Sequence, residues 1–404
     1  MDRSGMPAPY LVKGLHRLVQ DLNAQRVSQV RGLTGLSCGE TRLISFDNSQ
    51  VQYCGQDVSS LAARGSFEEV TWLLLAQRSP TDEQLADIQA ILAEVHPIDS
   101  AVAEMLERIP LRVRPLEIVP IAVSLHSFFD PSEQDENRAS MRSAIWNLLS
   151  HLPDMLSSGI NRTPCCDADR DSHDHHSLSW AGRVLQALRG DDCPPTTAED
   201  FAINAVMICQ CLTEMRAACF ASRLVGSTTS HVRTAIQVAL TLFVAQLRKD
   251  PFIWSDQLLR ELTGPASAEA WWKGRANREM PFGFADGPED PRVPILRDVC
   301  RSLLGSHSRI VVEASACRLE RLLADQQLCP TVDWLAARAL TLLNVPGDRQ
   351  SVVIALARLA GWAAQAIEQN DSQESLLPVL QYGSAAVLAG DEMCDGCSQP
   401  VSDQ

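Results

Sequence analysis

Apolar residues recur at a helical period along almost the whole chain, and this constrains the fold class before any motif is considered. In VRTAIQVALTLFVAQL (232–247), Val232, Ile236, Ala239, Leu240, Phe243 and Leu247 fall on one helical face. SVVIALARLAGWAAQAIE (351–368) repeats the arrangement with Val353, Leu356, Ala360, Ala363 and Ile367. The stretch 66–95 predicts two helices. Ser66 followed by Glu69 has the spacing of a capping box on the first, and Thr81 with Glu83 and Gln84 opens the second. Strand-like alternation is confined to TRLISFD and SQVQYCG (41–55), a small hairpin around Asp47 and Asn48. The expectation is an all-α protein with one β-ribbon near its start. With 404 residues, it is long enough for two domains or for one large domain with a smaller lobe.

The most apolar windows are punctuated by polar residues such as Arg233, Gln237 and Gln246, so no unbroken apolar run reaches the roughly 20 residues of a bilayer span. The N-terminus, MDRSGMPAPYLVKGLHRL, has no apolar segment of the kind that marks a secretory signal. A formal charge of −15 argues against nucleic acid as a partner, since such proteins carry a basic face. The 13 cysteines form an odd set, and Cys209, Cys211, Cys219, Cys300 and Cys317 lie inside apolar helical stretches, where a thiol acts as a small hydrophobe. That usage fits a reducing compartment, and the expectation is a cytoplasmic protein without membrane attachment.

Few constellations carry chemistry. The segment 161–179 collects Cys165, Cys166, Asp167, His173, His175 and His176, but their spacing matches no closed zinc site, so it is read as a solvated insertion and no metal site is assigned. Cys394 and Cys397 have redox spacing without a βαβ context, in a tail after Gly390 expected to be disordered. Trp271 and Trp272 adjoin Lys273 and Arg275; adjacent helical residues point apart, so one indole is expected in the core. Phosphate loops, dinucleotide fingerprints and HExxH motifs are not found. Two residues stand out. Asp333, in CPTVDWLAARALTLLNVP (329–346), sits at a helix start, either as a cap for orphan N–H groups or as a base with a tuned pKa. Arg358 interrupts a strongly apolar helix, where it either snorkels to water or grips a carboxylate bidentately.

The order and spacing of several blocks resemble the citrate synthase family over roughly residues 30–385. RGLTGLSCGETRLISFD (31–47) and SFEEVTWLLLAQRSPT are similar to that family's GLxGVxxGET and SFEEVAYLLxxGxLPT. RVRPLEIVPIAVSLHSFFDP (112–131) is similar to its AHPM segment, and ACFASRLVGSTTSHVRTAIQVAL (218–240) to the helix after ADHELNAST. EDPRVPIL (289–296) resembles DPRAxxL, while residues 329–346 and ALARLAGWAAQAIEQ (355–369) resemble NVDF…LGIP and FAxxRxxGWxAHxxEQ. The resemblance implies a helical homodimer whose large and small domains close over a cleft. It also implies condensation of acetyl-CoA with oxaloacetate, a small carboxylate, through an enol, with no cofactor beyond the acyl-CoA co-substrate. In the family an aspartate removes the methyl proton and a histidine polarises the thioester carbonyl. A second histidine binds the keto oxygen, while arginines and a third histidine hold the carboxylates. Asp333 falls on the catalytic aspartate and Arg358 on a carboxylate-binding arginine.

The remaining positions depart from the family pattern. LTEMRAACF puts Thr213 at the substrate histidine, and AQLRKDPF puts Arg248 at the histidine of GPLHGGAN while losing its glycines. MPFGFADGPEDPR is about two residues short of the GFGH loop, leaving Phe284 or nothing for its histidine; Gln365 stands for the histidine of GWxAH. LLPVLQYG (376–383) lacks the arginine of RPxxxY. The implied division is an N-terminal extension (1–30), a large domain (31–215 with 335–390), a small domain (216–334) and a tail (391–404). The implied function is either a degenerate condensing enzyme with weak or lost citrate-forming activity, an enzyme with altered substrate using Asp333 as base and Arg358 and Arg248 as anion binders, or a binding subunit without catalysis.

Overall fold

The computed structural model describes residues 36–46, 50–93, 98–129, 138–161, 178–190, 193–213, 215–229, 231–246, 250–274, 280–305 and 307–378. Two units are present, Met1–Thr41 and Arg42–Gln404. The described part of the first, residues 36–41, carries no regular secondary structure.

The second unit is helical with two small ribbons. It opens with β1 (Ile44–Phe46), β2 (Val51–Tyr53) and β3 (Gln56–Asp57), an antiparallel three-stranded sheet in which Ile44 pairs with Tyr53 and Tyr53 with Gln56. The expected hairpin is therefore present with one extra strand; its turn, residues 47–49, lies outside the described residues. Helices follow as α1 (Val58–Arg64), α2 (Phe67–Ala76), α3 (Asp82–Ala93), α4 (Ser100–Glu107), α5 (Pro115–Phe129) and α6 (Arg138–Leu156). Then come α7 (Trp180–Arg189), α8 (Thr197–Gln210), α9 (Ala217–Gly226), α10 (Val232–Ala245), α11 (Pro251–Glu261) and α12 (Pro265–Gly274). A second ribbon pairs β4 (Phe284–Asp286) with β5 (Leu328–Pro330), and it brackets α13 (Val293–Ser302) and α14 (His307–Ala324). The last two helices are α15 (Val332–Leu342) and α16 (Gln350–Ser372). The β4–β5 ribbon was not expected: strands of three residues are too short to display a period of two.

Local chemistry sets the helix ends as anticipated. Ser66 Oγ accepts from Glu69 N–H (3.2 Å). Thr81 and Gln84 cap reciprocally, each side chain bonding the other's backbone N–H at 3.2 and 3.1 Å.

Helix α16 organises the core. It is long and apolar enough by length and composition to cross a membrane, yet its apolar window is buried inside the protein, packed by α2, α5, α8, α9 and α10. Close approach is what allows such crowding. A Cβ on Gly361 would stand 2.1 Å from the Cys211 carbonyl oxygen, and one on Gly226 would stand 2.4 Å from that of Ala366. Cys209, Cys211 and Cys300 are buried in this core. Burial pushes the Cys209 and Cys300 thiols up to about 12, so both stay protonated packing groups. The C-terminus of α8 is fastened from two sides. Tyr53 Oη donates to the Ile208 carbonyl at 3.1 Å. Arg292, paired with Asp290 at 2.7 Å, donates to the carbonyls of Cys209 and Leu212. Those anchors place Gln210 and Thr213 beside the start of α15.

Both Trp271 and Trp272 are half-buried, and Trp271 donates to Glu261 at 3.0 Å, so neither indole is a fully buried core residue.

Candidate functional site

Asp333 lies in the first turn of α15, but it does not cap it. Thr331 is the N-cap, and its hydroxyl accepts from Trp334 N–H. Thr331 also holds the helix start against the second ribbon, with its N–H donating to the Gly283 carbonyl at 2.8 Å. The Asp333 carboxylate is thereby turned inward, 5% exposed, towards α8, α9 and α16.

Three side chains close on it. Gln210 Nε2 and Arg358 Nη2 donate to Oδ1 at 3.2 and 3.4 Å, and Arg216 Nη2 donates to Oδ2 at 3.2 Å. Burial by itself pushes the Asp333 carboxyl up; the Arg216 and Arg358 guanidiniums and the hydrogen bonds outweigh it and hold the group below the usual carboxylate range. Arg358, central in α16, grips rather than snorkels. Its Nη1 donates to Asp250 at 3.2 Å, its Nη2 reaches Gln210 at 3.3 Å, and its guanidinium stacks 5.1 Å from the Phe243 ring centroid. Arg216 completes the set with a 3.8 Å contact from Nη1 to Asp250 Oδ2. Burial lowers the Arg216 pKa, but Asp333 and Asp250 more than reverse that, so it is raised and the group is charged.

The result is a closed quartet of two guanidiniums and two carboxylates with Gln210 wedged between them, and its formal charges cancel. Arg216 separates two cavities. The larger, about 550 Å3, is bounded by Phe46, Phe282, Phe284, Pro330, Gln210 and Asp333. The smaller, about 370 Å3, lies against Phe243, Trp362, Cys219, Gln246, Asp250 and Arg358. Thr213, Arg216 and Pro251 border both. Each has the volume of a small-molecule site.

The sequence-derived residues divide accordingly. Asp333 and Arg358 meet directly. Arg248 lies outside the described residues, as do the Cys/His/Asp cluster of the 161–179 insertion, the Cys394–Cys397 pair and the 391–404 tail. Thr213 borders both cavities. Phe284 opens β4 and packs its buried ring 5.0 Å from Trp334, so an apolar ring stands there instead of an imidazole. Gln365 is buried two turns beyond Arg358, and among the described residues its Oε1 has no hydrogen-bond partner. Among the described residues no histidine lines either cavity. His231 is the exposed N-cap residue of α10, and His126 and His151 meet edge to face with ring centroids 5.0 Å apart between α5 and α6. No group of three metal-ligating side chains gathers among the described residues.

Sequence reasoning missed Arg216, Asp250 and Gln210. Asp250 had a legible signal, because Asp followed by Pro marks a helix start; its Oδ1 does accept from Phe252 N–H at 2.9 Å. Arg216 and Gln210 carry no such mark.

The family description "Citrate synthase, C-terminal domain" matches residues 32–378. The chain belongs to the citrate synthase family. Among the relatives of this family protein, 2-methylcitrate synthase 1 of Corynebacterium glutamicum is 27% identical over 369 residues, spanning 88% of this chain and 95% of that one. Citrate synthase 2 of Bacillus subtilis is 24% identical, spanning 88% and 96%. The fold matches the citrate synthase of Pyrobaculum aerophilum with a TM-score of 0.75 at 19% identity, covering 88% of this chain and 94% of that one. It also matches the citrate synthase of Thermoplasma acidophilum, solved with carboxymethyl coenzyme A and oxaloacetate, with a TM-score of 0.73 at 20% identity and coverage of 92% and 98%. The expected helical citrate-synthase-like fold is thus confirmed.

Proposed function

We propose that this citrate synthase family protein has a degenerate condensing site with weak or no citrate-forming activity, and that its cleft now serves binding. One observation carries the reading: the enolising base of the family position, Asp333, is tied through both oxygens to Arg216, Arg358 and Gln210. A general base works best with a pKa near the working pH, and the neighbouring guanidiniums push this one the other way.

Removal of a thioester α-proton also needs a donor for the developing enolate. Such donors contribute about 10²–10³-fold, and a positioned acid or base about 10²–10⁴-fold. Arg216 borders the same cavity as Asp333 but holds its proton at neutral pH, so it cannot pass one to a carbonyl oxygen. Thr213 and Gln365, which stand at two of the family's histidine positions, do not supply a titrating proton near neutral pH, and neither does Phe284, the residue or gap at a third.

A second reading, a condensing enzyme for a different acyl-CoA and 2-oxoacid with Asp333 as base, is supported by the Asp333 side chain bordering the larger cavity. Thiol release separates the two. Purified protein is incubated with acetyl-CoA or propionyl-CoA and a panel of 2-oxoacids, and free CoA is followed with a thiol reagent. The expected outcome is no release above the protein-free rate. Turnover at an enzyme-like rate, on the order of 1 s⁻¹ or more, abolished by Asp333→Asn, refutes the degenerate site.

The same reading includes a cytoplasmic homodimer, with acyl-CoA and a small carboxylate as candidate ligands. The dimer is supported by exposed apolar side chains on α5: Ile121 and Phe128, seven residues apart on one face, are 39% and 85% exposed. The two-domain division, with a small domain over 216–334, belongs to this proposal too. Sedimentation would report the assembly.

A further inference from the structure

Asp250 does more than cap a helix. Its Oδ1 accepts from Phe252 N–H at 2.9 Å, while its Oδ2 stands 3.2 Å from Arg358 Nη1 and 3.8 Å from Arg216 Nη1. One oxygen thus bridges the two guanidiniums that face the smaller cavity. That is the position the carboxylate of a bound diacid would take, because an arginine grips a carboxylate through paired N–H groups. The other contacts of Arg358 go to Asp333 and Gln210, so neither of its terminal nitrogens is left for a ligand. Among the described residues of the smaller cavity, Arg216, Arg358 and Asp250 are the charged groups. Asp250 is 8% exposed, and its cap bond together with Pro251 tethers it, so it cannot swing away without uncapping α11.

We propose that Asp250 is a built-in carboxylate that occupies the anion grip of this cleft and bars dicarboxylates from it. The inference rests on the reading of Arg358 as an inherited carboxylate binder, and it deepens that reading by naming the residue that decides which ligand charge is accepted. With Asp250 in place, an incoming dianion meets the Asp250 carboxylate at the grip, within a quartet whose charges already cancel. A neutral or singly charged ligand does not meet the same repulsion.

The test is Asp250→Asn. Asparagine caps a helix as well as aspartate does, so the Phe252 N–H keeps its acceptor while the competing charge is gone. Binding of oxaloacetate and succinate to the wild-type protein and the variant is measured by calorimetry, with thermal melting run alongside. The expected result is a dissociation constant about tenfold or more tighter in Asp250→Asn for both diacids. The gain should vanish in Asp250→Asn/Arg358→Gln, and a smaller gain or none is expected for a monocarboxylate such as acetate. If Asp250→Asn does not fold, Asp250→Ser replaces it, since a serine hydroxyl also caps the helix but stops short of Arg358. A folded variant whose diacid affinity equals that of the wild type overturns the proposal. So does a gain that survives loss of Arg358. Thiol release by the wild-type protein at an enzyme-like rate would sink the degenerate-site reading, whereas an unchanged diacid affinity would sink this one, so the two fail separately.

Discussion

Replacing Arg358 by methionine decides whether this guanidinium is kept for a ligand or for the fold. Methionine is unbranched and flexible, so it refills much of the space beside Phe243 while the charge and three hydrogen bonds are lost. Arg358 is 3% exposed, and its partners Asp250 and Asp333 are 8% and 5% exposed, so water cannot replace it fully. Removing one partner from a buried ionic set costs about 3–5 kcal/mol, because it leaves the opposite charge without compensation. The entropy of unfolding is roughly 2.1 cal/mol/K per residue, which for 404 residues is about 0.85 kcal/mol/K. That cost therefore lowers the melting temperature of a cooperatively unfolding chain by about 4–6 °C. Urea denaturation followed by circular dichroism, with the melt as a second probe, measures it. Arg358→Met/Asp250→Asn should recover at least half of the loss, since the stranded carboxylate goes too. A residue kept free for substrate behaves the opposite way, and its removal commonly leaves stability unchanged or improved. A loss below about 1 kcal/mol, or a double variant no better than the single one, would refute the closed quartet.

Two more expectations follow from the same packing. The Asp333 carboxyl is held below its unfolded value, so its stabilising contribution is fully present above a pH of about 4 and is lost as pH falls through the lowered folded value. Asp333→Asn should therefore flatten the acid limb of the stability–pH curve and cost about 3 kcal/mol near neutrality; an unchanged acid limb would contradict the pairing. Gly361→Ala should destabilise the protein although alanine is the better helix former by about 1 kcal/mol. Its Cβ would meet the Cys211 carbonyl oxygen at 2.1 Å and Leu212 Cδ2 at 2.9 Å, overpacking worth about 1–3 kcal/mol or more. A higher melting temperature for that variant would mean that α8 and α16 are not in such close contact.

How much could be read without coordinates depended on whether the signal was local. The period of the apolar residues, the Ser66 and Thr81 caps and the first hairpin depend on neighbours a few positions apart, and all are present in the structure. The family motifs likewise put Asp333 and Arg358 forward as partners across a cleft. Yet the sequence left Asp333 poised between cap and base, because both roles use the same residue at the same helix turn. Contacts over long sequence separations settled its surroundings: 117 positions to Arg216, 123 to Gln210 and 25 to Arg358. The Asp–Pro pair at 250–251 marks at most a helix cap, which went unread, and nothing nearby in the chain indicates that the second oxygen of Asp250 bridges two arginines, one of them 108 residues away. The sequence by itself determined a helical protein with an arginine and an aspartate in stretches that resemble the family's motifs. Only the tertiary structure decided that their charges are spent on each other and on Arg216 and Asp250, because the Coulomb energy of a buried group depends on distance through space rather than along the chain.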